Sequence, residues 1–328
     1  MLALTGKDVQ DLVPMKTAVE LMKTVFNDLS AGNTTSPLRT PVPVPEADGV
    51  SLFMPAYVPS IEGLGMKVVS VFPRNLEKGK PTINAIVAVL DASTGEPVAL
   101  MDGTFLTALR TGAGAGAAAD LLARQDSHVV TCIGAGAQGL TQVWAVAAVR
   151  DIQKVYVFDI NESMRESYAE RLSAYDPELA AKVQTVTDLP AALAESDVVC
   201  TATTSKTPVY NHADIRPGTH INAVGAFQPT MQEIPVETLL NSYVVVDSVE
   251  AAFEEAGDLQ IPLNKGEITM DMISVEVGHL VAGTATGRTS DQQVTFFKSV
   301  GNAVQDIIVA REAVQQAEKQ GRGQQFDL

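Results

Sequence analysis

The sequence predicts an α/β protein with a doubly wound parallel sheet and a second α/β domain, from three observations. From about residue 120, apolar runs alternate with helical patterns, as a parallel sheet with crossover helices requires. The first of these runs ends in glycines spaced G-x-G-x-x-G. The chain has 328 residues, of which 46% are hydrophobic and 19% charged, enough for two domains with substantial cores.

The glycine-rich turn has the residues that bind a dinucleotide in a Rossmann fold. The apolar run 129–133 ends at Gly134, and Gly136 and Gly139 follow. Gly134 permits the tight turn, Gly136 lets the backbone approach a pyrophosphate, and Gly139 lets helix and strand pack closely. The N–H groups and positive dipole end of the next helix hold the phosphates. The alternative is a glycine-rich turn in an unrelated α/β fold.

An acidic residue stands where the adenosine ribose of such a cofactor lies. The apolar run 155–158 ends in Asp159, which follows Gly139 by 20 residues. A carboxylate there can accept hydrogen bonds from the ribose and would repel a 2′-phosphate. No arginine follows it directly, so the sequence favours NAD over NADP. As an alternative, Asp159 caps the next helix.

The N-terminal part of the chain predicts helices followed by strands. Thr5 to Asp8 has a helix-start pattern, and apolar residues with helical spacing predict a helix from Met15 to about Gly32. The prolines of residues 36–60 exclude a central strand throughout that segment. Predicted strands, the last two joined as a hairpin, cover residues 51–57, 63–72, 81–90 and 97–101. The Ala- and Gly-rich residues 105–120 predict a closely packed helix.

The second half of the chain predicts six strands of the parallel sheet. These strands cover residues 128–133, 154–158, 183–186, 197–202, 219–224 and 243–247. The helices between them include residues 138–149, 161–174 and 189–195. A last long helix is predicted to begin near Ser290–Gln293, which has a capping-box pattern, with Val294 and Phe297 on its apolar face. It is too long and too late for a crossover, so we expect it to return to the first domain.

Composition and charge exclude several classes of function. The net charge of −16 argues against a nucleic acid or an anionic membrane as partner. Cys132 and Cys200 lie in apolar runs and are predicted core thiols, and the four histidines are scattered, so no metal site is predicted. Because a signal peptide and an 18-residue apolar stretch are both missing, we expect a cytoplasmic protein.

Three basic residues of the N-terminal half, Arg39, Lys67 and Arg110, are candidates for a substrate site. Each precedes or interrupts an apolar segment. Lys67 either extends from a strand edge to solvent or faces a cavity that needs a positive charge, and Arg110 is either directed at an anion or exposed. Cations in apolar surroundings of an acidic protein indicate an anionic substrate, most simply a small carboxylate that arginine binds bidentately. The chemistry would be hydride transfer at the adjacent carbon.

The chain resembles the ornithine cyclodeaminase/mu-crystallin family along nearly its whole length. Seven motifs carry the resemblance in family order: Pro-Leu-Arg-Thr (37–40), Phe-Met-Pro-Ala-Tyr (53–57), Gly-Met-Lys-Val-Val (65–69), Thr-Ala-Leu-Arg-Thr-Gly-Ala (107–113), Gly-Ala-Gly-Ala-Gln (134–138), Gly-Arg-Thr-Ser-Asp (287–291) and Phe-Lys-Ser-Val-Gly-Asn-Ala (297–303). The resemblance implies a substrate and dimerisation domain (1–118 and 300–328), a Rossmann domain (119–299), and a homodimer with its active site in the cleft between the domains.

The resemblance also assigns residues to the site. Arg39, Lys67 and Arg110 match the family's substrate-carboxylate and catalytic basic residues. The substrate pocket is expected to include Met54, Thr82, Phe227 and Val300. The positions expected to contact the cofactor are Thr111, Gly134, Gly136, Ala137, Gln138, Asp159, Asn161, Thr203, Val224, Gly225 and Ser299.

One segment departs from the ornithine cyclodeaminases of the family. Those enzymes carry Gly-Gly-Asp-x-Pro-Gly-Lys, where the aspartate activates water. Here Phe227 stands in place of the aspartate and Met231 in place of the lysine. A phenyl ring cannot act as a base or bind an ammonium group in that role. The segment is more similar to the alanine dehydrogenases and cyclic-imine reductases of the family.

We therefore expect an NAD(P)H-dependent enzyme that reduces the C=N bond of a small α-imino acid. The substrate would be a cyclic ketimine such as Δ1-pyrroline-2-carboxylate or Δ1-piperideine-2-carboxylate, or the imine of a 2-oxo acid. Arg39 and Arg110 would hold the carboxylate, and Lys67 would polarise the substrate or relay the proton. The alternatives are an ornithine cyclodeaminase with catalytic NAD and a non-catalytic, nucleotide-dependent binding protein of the crystallin type.

Overall fold

The computed structural model describes residues 1–273 and 275–327. The chain forms two compact units, Met1–Arg110 with Gly301–Leu328, and Thr111–Val300. The first unit therefore contains both ends of the chain, and the second is continuous in sequence. The functional domain boundaries at 118/119 and 299/300 stay a prediction.

The first unit is built on a mixed sheet. Its N-terminal elements are β1 (Leu2–Leu4), α1 (Gly6–Leu12), α2 (Met15–Ser30), β2 (Thr40–Val44), β3 (Gly49–Val58), β4 (Gly63–Val71), β5 (Ile83–Asp91) and β6 (Pro97–Asp102). The predicted helices and all four predicted strands are present. Thr5 caps α1 in a reciprocal capping box with Asp8. Strands β2 to β6 form an antiparallel meander, and β1 pairs with β6 in parallel.

Helix α3 (Gly103–Leu122) continues the chain from the first unit into the second. Its alanines and glycines allow the close packing that the sequence predicts. A Cβ atom on Gly112 would lie 2.4 Å from the backbone oxygen of Thr141, so only glycine fits there.

The second unit contains a sheet whose paired strands all run parallel. Its elements are β7 (Val129–Ile133), α4 (Ala137–Val149), β8 (Lys154–Phe158), α5 (Glu162–Glu166), α6 (Tyr168–Ser173), α7 (Pro177–Ala180), β9 (Val183–Thr185), α8 (Leu189–Glu195), β10 (Val198–Thr201), β11 (His220–Ala223), α9 (Val236–Leu240), β12 (Tyr243–Val246), α10 (Val249–Glu255), α11 (Gly257–Asn264), α12 (Val277–Val281) and β13 (Thr295–Lys298). The strand order is β12-β13-β11-β10-β7-β8-β9. All six predicted strands are present, and the helix predicted over 161–174 is divided into α5 and α6.

Both faces of this parallel sheet are buried. Along β10, Val199 packs into one apolar cluster, while Val198 and Cys200 pack into another. A parallel sheet covered by helices on both faces requires such continuous apolar strands. Cys132 and Cys200 are buried free thiols, as predicted.

The prediction of a long helix from residue 290 is wrong. Ser290–Gln293 forms a turn, and Thr295–Lys298 is the buried strand β13, between β11 and β12. A short apolar run such as Val294–Phe297 has no periodicity that separates strand from helix, and here burial in the sheet decides. Helix α13 begins only at Ala303.

Helix α13 (Ala303–Gln320) and strand β14 (Gln324–Gln325) belong to the first unit, so the expected return of the last helix is confirmed. Asn302 caps α13 by accepting a hydrogen bond from the backbone N–H of Val304. The helix lies over β4, where Gly65 leaves room for Ile307. A Cβ atom on Gly65 would lie 2.9 Å from the Cδ1 atom of Ile307.

Candidate active site

Lys67 is buried on the face of β4 that α13 covers. It is 1% exposed, and its Nζ atom lies 2.6 Å from the Oδ2 atom of Asp306. Its register neighbour on β3 is Met54, which is also buried. Of the two alternatives for Lys67, exposure at a strand edge is therefore wrong. The lysine is an interior cation with a carboxylate partner.

Asp306 joins Lys67 to Arg110. The Nε atom of Arg110 donates to Oδ1 of Asp306 over 3.0 Å, and its Nη1 atom donates to Oε1 of Gln305 over 2.7 Å. In the described residues, the remaining terminal nitrogen of Arg110, Nη2, has no protein acceptor. Gln305 and Asp306 were not predicted as site residues. Two adjacent polar residues between Val304 and the apolar run 307–310 were the available indication.

The turn before α13 brings Arg39 to the same group. The Nη2 atom of Arg39 donates to the backbone oxygen of Gly301 over 2.9 Å. Gly301 has a φ angle of +81°, and a Cβ atom there would lie 2.3 Å from the Nη1 atom of Arg110. Only glycine combines this backbone conformation with so close an approach. The structure thus places Arg39, Lys67 and Arg110 in one group, which we call the cation cluster.

The cation cluster combines three basic side chains with a buried carboxylate. Asp306 pairs with Lys67 and Arg110, and Arg39 donates to the backbone oxygen of Gly301 beside them. Burial and the nearby Arg110 guanidinium lower the pKa of Lys67 to about 7, and Asp306 opposes this shift. The cluster can therefore bind a small anion, and Lys67 can give or take a proton near neutral pH.

The other predicted pocket residues lie in different parts of the chain. Met54 is beside Lys67, and Thr82 is half-buried just before β5, where its backbone oxygen accepts from the N–H of Phe72. In the second unit, Phe227 is half-buried in the loop after β11, and Val300 is buried after β13. Their roles in a substrate pocket stay predictions.

The glycine-rich turn has the geometry expected of a phosphate-binding turn. Gly134 has a φ angle of +101°, and a Cβ atom there would lie 2.6 Å from the backbone oxygen of Ala202. A Cβ atom on Gly139 would lie 2.1 Å from the backbone oxygen of Gly134, which is the close helix–strand contact. By contrast, a Cβ atom on Gly136 would meet no other described atom within 4 Å beyond its chain neighbours. That open space, at the N-terminus of α4, fits a pyrophosphate.

Asp159 fixes this turn from the end of β8. Its Oδ2 atom accepts from the N–H of Ala135 over 2.7 Å, and its Oδ1 atom accepts from the N–H of Asn161 over 2.8 Å. The helix-cap alternative for Asp159 is wrong, because Asn161 caps α5 through the N–H of Met164. An arginine does lie close by, since Arg165 donates to the backbone oxygen of Asp159 over 3.2 Å.

The remaining predicted cofactor positions of the second unit lie mainly at the carboxyl ends of its strands, where ligands of such sheets bind. Thr203 follows β10, Val224 and Gly225 follow β11, and Ser299 follows β13, where it donates to Asp247 over 2.6 Å. Thr111 lies in α3, and Ala137 and Gln138 begin α4. In the described residues, the buried Oε1 atom of Gln138 has no protein partner, which leaves it available to a ligand.

Two other kinds of site receive no support from the described residues. In 1–273 and 275–327, no three His, Cys, Asp or Glu side chains are grouped so that they could hold a metal ion. Within the same ranges, every helix is too short or too polar to cross a membrane.

The chain is similar to known proteins in both sequence and structure. Residues 1–321 match the sequence profile of the ornithine cyclodeaminase/mu-crystallin family. The chain belongs to this family. It is 40% identical over 330 residues to the Δ1-pyrroline-2-carboxylate reductase of Bacillus cereus (strain ATCC 10987 / NRS 248), with 100% of both chains covered.

Two solved structures of the family resemble this chain closely. The Thermococcus litoralis Δ1-pyrroline-2-carboxylate reductase, in complex with NADH and L-proline, has a TM-score of 0.94 and 41% identity over 99% of this chain and 100% of its own. An archaeal alanine dehydrogenase dimer with bound NAD has a TM-score of 0.90 and 34% identity over 100% of this chain and 99% of its own. The predicted family, fold class and enzyme class, an NAD(P)-dependent imine reductase or amino acid dehydrogenase, are confirmed. The predicted NAD is the cofactor of both relatives.

Proposed function

We propose that this chain reduces Δ1-pyrroline-2-carboxylate to L-proline with NADH. The observation that carries the proposal is the cation cluster, in which Lys67 and Arg110 share the carboxylate of Asp306 and Arg39 is held beside them by the backbone oxygen of Gly301. When bound, the reduced nicotinamide supplies a hydride to the imine carbon. The imine nitrogen gains a proton, so that the C=N bond becomes the C–N bond of the amine.

The cations divide the work of binding and proton transfer. Arg39 and Arg110 bind the substrate carboxylate, for which Arg110 has Nη2 available. Lys67 donates the proton to the imine nitrogen, directly or through water. Its lowered pKa, about 7, suits this role near neutral pH. Asp306 keeps both Lys67 and Arg110 in place by contacting each of them.

The loop after β11 favours reduction over cyclodeamination. Phe227 is half-buried there, and by the resemblance to the family it replaces the water-activating aspartate of the cyclodeaminases. A phenyl ring offers an apolar surface for the methylene groups of a small cyclic imine, but it cannot activate water. The predicted cytoplasmic location stays a prediction.

The same proposal includes a homodimer. On the sheet of the first unit, Val42, Tyr57 and Ile86 are 46%, 36% and 49% exposed. The strand registers place all three on the face opposite to Lys67. An apolar sheet face of this kind is typical of a protein–protein interface. The archaeal alanine dehydrogenase that resembles this chain is a dimer.

Substrate assays test the proposal directly. The purified protein is mixed with NADH or NADPH and Δ1-pyrroline-2-carboxylate, Δ1-piperideine-2-carboxylate, or pyruvate with ammonia. We expect NADH oxidation and L-proline formation in equal amounts with the first substrate. Proline and ammonia formed from ornithine, with no net change in NADH, would replace the proposal by cyclodeamination. Nucleotide binding without turnover of any substrate would favour a binding protein.

A further inference from the structure

A single buried carboxylate connects two loops at the carboxyl edge of the parallel sheet. Glu233 is 0% exposed. Its Oε1 atom accepts from the backbone N–H of Thr203 over 2.5 Å, and its Oε2 atom accepts from the backbone N–H of Ala226 over 3.1 Å. Oε2 also accepts from the hydroxyl of Thr201 over 3.2 Å. Because Thr203 follows β10 and Ala226 follows β11, Glu233 joins the loops of two neighbouring strands.

Glu233 is itself held by a second buried acid. The Oδ1 atom of Asp258 accepts from the N–H groups of Glu233 and Ile234, over 2.7 and 3.0 Å. Its Oδ2 atom accepts from the Nζ atom of Lys298 over 2.8 Å, and both of these side chains are 0% exposed. Lys298 is the last residue of β13. Glu233, Asp258 and Lys298 therefore connect the carboxyl ends of β10, β11 and β13. We call Glu233, Asp258 and Lys298 the loop clamp.

The loop after β11 is shaped around this carboxylate. A Cβ atom on Gly225 would lie 2.4 Å from Oε2 of Glu233 and 2.3 Å from the backbone oxygen of Thr203. Glycine at 225 is therefore required by the clamp, and the N–H of Phe227 then donates to the backbone oxygen of Gly225 over 3.1 Å. The clamp thus sets the path of the chain up to Phe227.

A buried acid at position 233 lowers the stability of the folded protein. Burial and the nearby Asp258 raise the pKa of Glu233, while Lys298 and the hydrogen bonds of Thr203 oppose the shift. Apolar residues of similar volume often stabilise a protein interior better than a buried ion pair does. What they cannot do is accept backbone hydrogen bonds from two loops at once. The position of Glu233 therefore indicates that this acid holds the two loops in place.

We propose that Glu233 is a positioning residue for imine reduction, which holds Thr203 and Gly225–Phe227 in the arrangement needed for hydride transfer. The inference rests on the proposed function, because it takes these loops as the ones that contact nicotinamide and substrate. Loss of the clamp should then impair NADH binding and hydride transfer. It should leave the cation cluster, and with it carboxylate binding, unchanged.

The test compares Glu233→Gln with a matched control, Asp197→Asn. Glutamine has the size of glutamate but turns one acceptor oxygen into an NH₂ donor, so one loop N–H loses its partner. Asp197 is also a buried acid that accepts from two backbone N–H groups, those of His128 (2.8 Å) and Val129 (3.0 Å), but at the amino end of β7. Both variants should lower the thermal midpoint of unfolding. Only Glu233→Gln should alter catalysis.

Steady-state kinetics with NADH and with deuterated NADH give the decisive readout. We expect Glu233→Gln to lower kcat/KM for NADH about 10-fold or more and to raise the primary deuterium isotope effect, because misplaced reactants slow the chemical step. The KM for the imine should change less than kcat/KM for NADH does, since the cation cluster that binds the carboxylate is intact. Asp197→Asn should keep all three values near those of the wild type.

Several results would overturn the inference. Equal kinetic changes in Glu233→Gln and Asp197→Asn would reduce the clamp to a structural feature. If Glu233→Gln does not fold, Glu233→Asp replaces it, because it keeps the charge but is too short to reach both loops. Normal kinetics in that variant would also reject the role. If the wild type fails to reduce the imine, the proposed function fails separately, and NADH titration still tests the clamp: unchanged affinity in Glu233→Gln would reject it.

Discussion

The two units each bury a lysine–aspartate pair, and the two pairs have opposite surroundings. In the first unit, Arg110 also pairs with the aspartate of Lys67–Asp306, so two cations share this carboxylate. In the second unit, the pair Lys298–Asp258 is joined by Glu233, so acids are in excess. The same two residue types therefore belong to one cluster that favours an anion and another that does not.

The difference shows how a protein can use the cost of burying charge. In the loop clamp, backbone N–H groups donate hydrogen bonds to the carboxylates of Glu233 and Asp258. These carboxylates thereby hold the loops together. In the cation cluster, the Nη2 atom of Arg110 has no protein acceptor among the described residues, which leaves it available to a substrate carboxylate. A buried charge without full compensation is destabilising, and binding sites are where such a cost is tolerated.

The largest effect on catalysis is expected for a substitution at the centre of the cation cluster. Lys67→Met should reduce kcat by about 10²- to 10⁴-fold, because the proton donor is lost. NADH binding should hardly change. Lys154→Met is the control, since that lysine contacts Tyr156 and Glu195 at the surface of the second unit. Steady-state kinetics and NADH titration measure both effects, and a parallel loss of NADH affinity in Lys67→Met would reject the proton-donor role.

A smaller effect is expected at the turn that aligns the two arginines. Gly301→Ala would place a methyl group 2.3 Å from the Nη1 atom of Arg110. We expect the KM for the imine to rise at least ~10-fold, since a positioned charge pair contributes more than 1 kcal/mol. Gly321→Ala is the matched control, because Gly321 also has a positive φ angle, +64°, but its Cβ position meets no described atom within 4 Å beyond its local backbone. Similar KM values in both variants would mean that Gly301 is needed only for its backbone conformation and not for the position of Arg110.

The pH dependence of catalysis tests the electrostatics of the cation cluster. With a pKa lowered from 10.5 to about 7, Lys67 loses its proton as the pH rises through 7. The kcat/KM for imine reduction should therefore fall above that pH, whereas L-proline oxidation should rise. Asp306→Asn removes a charge that raises the pKa of Lys67, so the falling limb should move to lower pH. An unmoved limb would show that another group titrates.

The same lowered pKa affects stability. Between pH 7 and 10.5 the unfolded chain binds more protons at Lys67 than the folded chain does, so this residue makes stability rise with pH in that window.

The smallest effect on catalysis is expected at the sheet face opposite to Lys67. Ile86→Lys should shift the protein from dimer toward monomer in analytical ultracentrifugation, because a lysine would be desolvated in the interface. Met270→Lys is the control, since Met270 is 57% exposed but lies in the second unit. If both variants sediment like the wild type, Ile86 lies outside any subunit interface.

The sequence was sufficient for features that are local in the chain. The glycine-rich turn, Asp159 at the end of β8, and the six strands all follow from patterns within about 30 residues. The cations Arg39, Lys67 and Arg110 were also identified, because charges in apolar runs are conspicuous. Strand β13 was mistaken for helix, since a four-residue buried strand has too few residues to show a period.

The partners of these charges could not be predicted in the same way. Asp306 and Glu233 reach their partners only because a helix or a loop packs against strands that are distant in sequence. One sequence alone does not show which segments pack together. Gln305 and Asp306 also lie on a helix whose start was placed about 13 residues too early, which shifted its expected buried face.

The ion pair between Lys67 and Asp306 also has a consequence for synthesis on the ribosome. The second unit is continuous from Thr111 to Val300, so it can fold as soon as that stretch has emerged. The first unit must wait, because the carboxylate that pairs with Lys67 lies on α13, which follows the whole second unit in sequence. A nascent or truncated chain without α13 therefore carries an uncompensated lysine and an uncovered sheet. The cation cluster can therefore form only after α13 has been translated.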